Sequence, residues 1–256
     1  EIRFCDWSSD VCSSDLLGLG AGDLMMFPHT DFTRAELMAN LRHLPFASSF
    51  RSTYAYDNLL YIVAGELVPA VTGTSWEDFV EKRILQRVKM APCAVVRERL
   101  HGTTNIATPH AVVEGKLVAV LPDDVSTGAP AGSINCNVAN MAKWVSVQLA
   151  GGKMPDGAAL FSEAQHVAMW SPQTIIPVSP ESTALTRTHF RAYGLGWGLE
   201  DFEGYKRVSH SGGLAGMVTH VSMLPELQLG VIVLTNQQSG EAGSRSEERR
   251  VGKECR

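Results

Sequence analysis

The apolar residues of this chain change period near Tyr193, and that change limits the folds open to it more than any other feature. Before Tyr193 they recur every three or four residues, as on a helix buried along one side; after it they alternate or run in short blocks, as in strands. Thr33 and Glu36 have capping-box spacing ahead of Leu37, Met38 and Leu41, which predicts a helix to about His43, ended by Pro45. Leu59, Leu60, Ile62, Val63, Leu67 and Val68 predict a buried helix closed near Gly73. Thr74 and Glu77 repeat the capping spacing before Trp76, Phe79, Val80, Ile84 and Leu85. From 91 to 130 the pattern weakens into an irregular excursion with short β-like stretches such as KLVAVL. The segment AGSINCNVANMAKWVSVQLAGG predicts another helix, with Ser133 or Asn137 as N-cap, Val138, Met141, Val145 and Leu149 as its apolar positions, and Gly151 and Gly152 as its stop. Beyond Tyr193, YGLGWGLE, YKRVSHSG and MVTHVSMLPELQLGVIVLTN read as antiparallel strands, with a hairpin turn at Pro225 to Gln228. Helices followed by consecutive strands imply an α+β fold, a helical lobe over about 31–190 packed with an antiparallel sheet over about 191–236.

Charge excludes one class of partner. The net charge of -5 and pI near 5.9, with no Lys/Arg stripe interleaved with aromatics, argue against nucleic acid and for a small-molecule or peptide substrate. Apolar runs such as 229–234 fall far below the ~20 residues that cross a bilayer, so membrane attachment is not visible in this sequence. The five cysteines include no Cys-x-x-Cys pair, and the histidines His29, His43, His101, His110, His166, His189 and His220 show no ligand spacing. Neither a metal site nor a disulfide framework is expected, and no cofactor; Cys93 and Cys136 read as small buried apolar residues.

Two motifs carry chemistry. Tyr56-Asp57-Asn58 stands between a polar loop and the buried helix. A phenol there can take a proton from a nucleophile if cations lower its pKa, and an amide can hold a peptide-like substrate. The plainer reading is a tyrosine anchoring the loop and Asn58 capping the helix at Leu59. The second motif, His210-Ser211-Gly212-Gly213, closes a predicted strand. Glycines beside a strand admit close approach and free backbone N–H groups for an oxyanion or an extended peptide. Its plainer reading is a β-bulge or tight turn. Trp197, between glycines, reads as core more than as pocket lining.

Taken in order, Tyr-x-Asn before a buried helix, AGSINCNV-MAKW, YGLGW and VSHSGGLAGM resemble the serine β-lactamase and penicillin-binding-protein family, nearest its class C, D-amino peptidase and esterase branch. The resemblance covers 17–238. It implies that Tyr56 and Asn58 are the family's second motif, that His210, Ser211 and Gly212 are its third, and that Gly213 supplies an oxyanion N–H. It further implies a parent that is periplasmic, secreted or membrane-attached. Tyr56 and Gly213 would be catalytic; Asn58, His210, Ser211 and Gly212 would bind substrate.

The family's first motif, Ser-x-x-Lys, places the acylated serine one helical turn before a lysine. The residues three before each lysine are Phe79, Gln86, Val113, Asn140, Ala150, Glu203 and Arg250, and none is serine. Arg87-Val88-Lys89-Met90 also departs from the family's Pro-Leu-Gly-Met turn. The stretches 1–16 and 245–256 show neither period and resemble translated sequencing-adapter sequence, the alternative being polar native tails. The expectation is an incomplete hydrolase domain over 17–240, foreign at both ends (1–16 and 241–256), inactive for want of a nucleophile, and short of its first strands and closing helix. The GLGAGD stretch follows no strand and is a poor nucleotide loop, and Gly-x-Ser-x-Gly is absent. The competing function is a non-catalytic module that recognises a peptidoglycan peptide or a protein partner.

Overall fold

The computed structural model describes residues 17–26, 30–49 and 52–239. The end segments with Cys5, Cys12 and Cys255, and His29, lie outside the described residues.

Local capping sets the helix starts. Thr33 and Glu36 form a full capping box for α1 (Arg34–Asn40), which tightens into a 3-10 turn over Leu41–His43. Asp57, not Asn58, caps α2 (Asn58–Thr72): its carboxylate accepts the Leu59 and Leu60 N–H groups. Gly73 closes that helix at φ 68°, a left-handed conformation that costs glycine little. Ser75, one residue beyond the expected Thr74, caps α3 (Trp76–Val80), which continues as a π turn over Glu81–Leu85. A hairpin of β1 (His110–Val113) and β2 (Lys116–Ala119) and the short α4 (Ala129–Gly132) fill the excursion. Asn137 caps α5 (Val138–Leu149); Ser133 instead donates to the Val95 carbonyl. The buried positions of α5 are Asn140, Val145, Val147 and Gln148, whereas Val138, in its first turn, is exposed. Among the described residues no single helix is long and apolar enough to cross a membrane; α2 and the helix after it pass that test only as a pair bent by 81°.

Short elements missing from the sequence reading follow: α6 (Glu163–Met169), β3 (Thr174–Ile176) and α7 (Pro180–Thr186). Then come β4 (Arg191–Tyr193), β5 (Gly198–Phe202), β6 (Tyr205–Leu214), β7 (Met217–Leu224) and β8 (Leu229–Thr235). The six strands from β3 to β8 form one antiparallel sheet in sequence order. Pro225–Leu227 makes the β7–β8 turn, with Gln228 at φ 49°. The sheet begins at β3, before the expected boundary.

Three apolar clusters hold these layers. Val145 on α5 packs with Leu199, Val208, Val221, Met223 and Trp197, covering one face of the sheet and confirming Trp197 as core. Gly230 in β8 lets α5 lie against the strand, since a Cβ there would stand 2.3 Å from Val145. The second cluster joins Val80, Leu85, Val95 and Val147 inside the helical lobe, and the third joins Met26, Leu37, Leu59 and Ile62 beneath the GLGAGD segment.

One expectation is overturned. Cys93 and Cys136 form a disulfide, with Cα atoms 4.4 Å apart. The pairing of Ala94 with Asn135 brings their neighbours together, a proximity that residue spacing alone does not reveal.

Candidate active site

The N-terminus of α2 and the middle of β6 meet between lobe and sheet. Tyr56 precedes the helix cap, and its carbonyl accepts the Gly20 N–H at 2.9 Å, so the GLGAGD segment is fastened to the first motif. Gly22, at φ 82°, lies where a Cβ would come 2.7 Å from Leu59 and 2.9 Å from Met25. That close approach gives GLGAGD a packing role. It also brings Asp23 to Asn58, whose Nδ2 donates to the carboxylate oxygens at 3.2 and 3.4 Å.

His210 lies on the sheet face that carries Val208 and Val221, towards the helical lobe. Its ring centroid is 6.2 Å from that of Tyr56. Around them stand residues missed in the motif reading: Tyr193 on β4, Tyr61 on α2 and Tyr54 in the preceding loop. Tyr193 lies edge-on to Tyr56 at 6.4 Å and 5.3 Å from Tyr54. Its hydroxyl is 3.0 Å from His210 Nε2 and 3.3 Å from the Tyr61 hydroxyl. The spacing of Asn58 and Tyr61 at i and i+3 puts them on one helix face, a signal for Tyr61 that the apolar pattern of α2 obscured.

Burial governs the electrostatics. It pushes the Tyr56 phenol up to about 12, with Tyr61, Tyr54, Asp23 and Asp57 adding to the rise. Tyr193 and Tyr54 are raised and His210 is lowered, in each case mainly by loss of water. Asp57 rises to about 6 because desolvation outweighs its two capping N–H donors. The phenols of Tyr54, Tyr56 and Tyr193 and the His210 ring are therefore neutral near pH 7, beside an Asp57 carboxylate that is mostly ionised there, and Tyr56 is a donor; a proton-accepting role needs a cation brought beside it.

The glycines are neither a bulge nor a turn. They continue β6 in register, Gly212 opposite Thr219 and Gly213 opposite Val218; the turn is at Ala215 and Gly216. On its other side β6 pairs with β5 only as far as Ser209, opposite Gly198. Residues 211–213 therefore present backbone groups along an edge with no strand partner among the described residues, the arrangement that receives an extended ligand. A Cβ at Gly213 would meet nothing within 4 Å, whereas at Gly212 it would stand 2.9 Å from Thr219 Oγ1. Strand alternation puts the Ser211 side chain on the face away from His210, beside His220, so its hydroxyl does not join the tyrosine cluster. Tyr56, Asn58 and His210 are brought to one place, with Gly212 and Gly213 on the strand edge that continues from it. A cavity of about 350 Å³ lined by Trp170, Phe190, Tyr205 and Lys206 lies at the opposite end of β6 and involves none of these residues. Among the described residues no three His, Cys, Asp or Glu side chains converge on a metal-sized point.

The family model described as Beta-lactamase matches residues 13–255. The chain belongs to the beta-lactamase family. The matched range reaches into both end segments. A curated relative, the unguisins hydrolase of Aspergillus campestris, is 25% identical over 204 residues, which is 78% of this chain and 36% of that protein. The chain thus spans little more than a third of that relative. Solved structures agree in fold: a penicillin-binding protein homologue from Pyrococcus abyssi, an octamer, superimposes with a TM-score of 0.73 at 21% identity, over 90% of this chain and 51% of that one. The D-amino acid amidase of Ochrobactrum anthropi gives a TM-score of 0.71 at 18% identity, over 95% and 69%. This beta-lactamase-family chain therefore has the helical-lobe-and-sheet fold its motifs implied.

Proposed function

We propose that this chain carries two of the three parts of an acyl-transfer site, belonging to a serine hydrolase that acts through an acyl-enzyme on a β-lactam, ester or D-amino peptide bond. The observation that supports this is the meeting of Tyr56 and His210, drawn from distant parts of the sequence to 6.2 Å across the interface of lobe and sheet. A Ser-x-x-Lys helix supplies the attacking serine in this reading, and its lysine is the cation that Tyr56 needs. With a positive charge close by, the phenol falls from about 12 and takes the serine proton, then returns it to the leaving group. The Gly213 N–H, on the open edge of β6, stabilises the oxyanion. Asn58 turns from Asp23 to the substrate amide, while His210 and the backbone from Ser211 to Gly212 hold the acyl side.

No Ser-x-x-Lys occurs in the 256 residues, so the chain as it stands binds at most. The test is to recover the gene upstream of residue 17 and treat its product with a fluorescent penicillin or a phosphonate probe. Covalent labelling on a serine of a Ser-x-x-Lys pair, lost or slowed about 100-fold or more in Tyr56→Phe, is the expected result. A recovered gene without that pair, or a product that resists both probes, replaces catalysis with the binding module, which the absent serine favours.

A further inference from the structure

Tyr193 and Tyr61 belong to neither motif, yet both their hydroxyls are committed in one line. The Tyr61 hydroxyl is 3.3 Å from that of Tyr193, which is 3.0 Å from His210 Nε2. These three residues come from α2, β4 and β6, the elements that must stay in register for the two motifs to face each other. The Ser211 backbone also bears on the His210 ring and favours its protonated form, as a carbonyl acceptor does. If Nδ1 donates to that carbonyl, Nε2 of the neutral ring has only a lone pair, so Tyr193 is the donor and Tyr61 in turn donates to Tyr193.

We infer that Tyr193 and Tyr61 are positioning residues that lock His210 as a neutral, Nδ1-protonated imidazole and thereby fix the Ser211 peptide at the open edge of β6. The groups facing the ring are Tyr56, before α2, and Tyr193 from β4; Tyr61 reaches it through the Tyr193 hydroxyl, and His220, on the other face of β7, acts on it through space. None is an anion that stabilises an imidazolium, and His220 works against one. His210 then serves as a fixed hydrogen-bonding support and not as a proton carrier. The inference deepens the proposed function, on which it rests for the importance of the β6 edge, but its readout needs no turnover.

The experiment is long-range proton–nitrogen NMR of the imidazoles in the nitrogen-15-labelled full chain, with His210 identified by its loss in His210→Gln. The expected spectrum has a pyrrole-type Nδ1 and a pyridine-type Nε2, unchanged through the pH range in which exposed histidines titrate. Tyr193→Phe is expected to move the proton wholly or partly to Nε2 and to restore titration, with a smaller change in Tyr61→Phe. An Nε2-protonated or freely titrating His210 in the unmodified chain overturns the inference, and so does a Tyr193→Phe spectrum identical to it. The wild-type spectrum decides the first point even if a tyrosine variant does not fold. Failure of probe labelling by the extended gene leaves this result untouched, so the two readings fail separately.

Discussion

Asp57 shows how one residue serves helix and site at opposing cost. Its carboxylate starts α2 and is fully buried, with Oδ2 lacking a hydrogen-bond partner among the described residues, and burial raises it to about 6. A raised folded pKa means that the folded chain keeps a proton the unfolded chain releases from ~pH 4 upward, so stability falls as pH rises from about 4 to 6 and stays low above that window. Asp57→Asn keeps a capping oxygen and removes the buried charge. It is expected to be more stable than the parent at pH 7 by about 1–3 kcal/mol and to lose this contribution to the pH slope, read from thermal melts between pH 4 and 7. A variant less stable at pH 7 than the parent contradicts this account of Asp57. Two glycines give a second contrast. Gly22→Ala forces a side chain into Leu59 and Met25 at a left-handed φ and should cost roughly 1–3 kcal/mol, while Gly213→Ala meets open space and should change stability by less than about 0.5 kcal/mol. Equal losses in denaturant titrations would remove the argument that Gly213 is kept open for a ligand. Tyr56, Asn58 and His210 were legible in the sequence as motif members, but Asp23, Tyr61 and Tyr193 became visible only through contacts between segments far apart in the chain.

Elements whose ends are set by adjacent residues were legible in sequence. The capping box of α1, the Gly73 stop of α2 and the Pro225 turn depend on neighbours within a few positions, and each stands where the pattern placed it. Elements of three to seven residues, namely β3, α6 and α7, were missed, because runs that short hold too few repeats to establish a period. The Cys93–Cys136 bridge escaped for another reason: the 43-residue separation closes only once the segment before α5 lies against the loop after the π turn. That bridge ties the hairpin-bearing excursion to the helical lobe. Cys93→Ser with Cys136→Ser, or reduction of the parent, should lower stability by about 2–4 kcal/mol. Melts that coincide with and without reductant, together with two alkylatable thiols at these positions in the unreduced chain, would contradict the bridge.

At the scale of the whole molecule, the change of period near Tyr193 marks the joint on which everything else depends. Residues before it mostly build the lobe, residues after it build four of the six strands of the main sheet, and Tyr193 itself, the last residue of β4, sits at the contact, touching His210 on one side and Tyr61 on the other. The β8 strand ends the main sheet, with α5 against one face and Leu229 and Leu234 partly exposed. Exposed strand edges of this kind favour association between chains. What the described residues offer for chemistry is a buried cluster of phenols beside an open strand edge, and no Ser-x-x-Lys pair occurs among the 256 residues. We propose that this chain does not hydrolyse a substrate by itself. The direct test of that claim is turnover by this exact polypeptide of nitrocefin, a short-chain nitrophenyl ester and a D-amino acid amide. No hydrolysis above the buffer rate is predicted for any of the three, and saturable turnover of even one, lost in Tyr56→Phe, would show that the chain holds a nucleophile this account denies it.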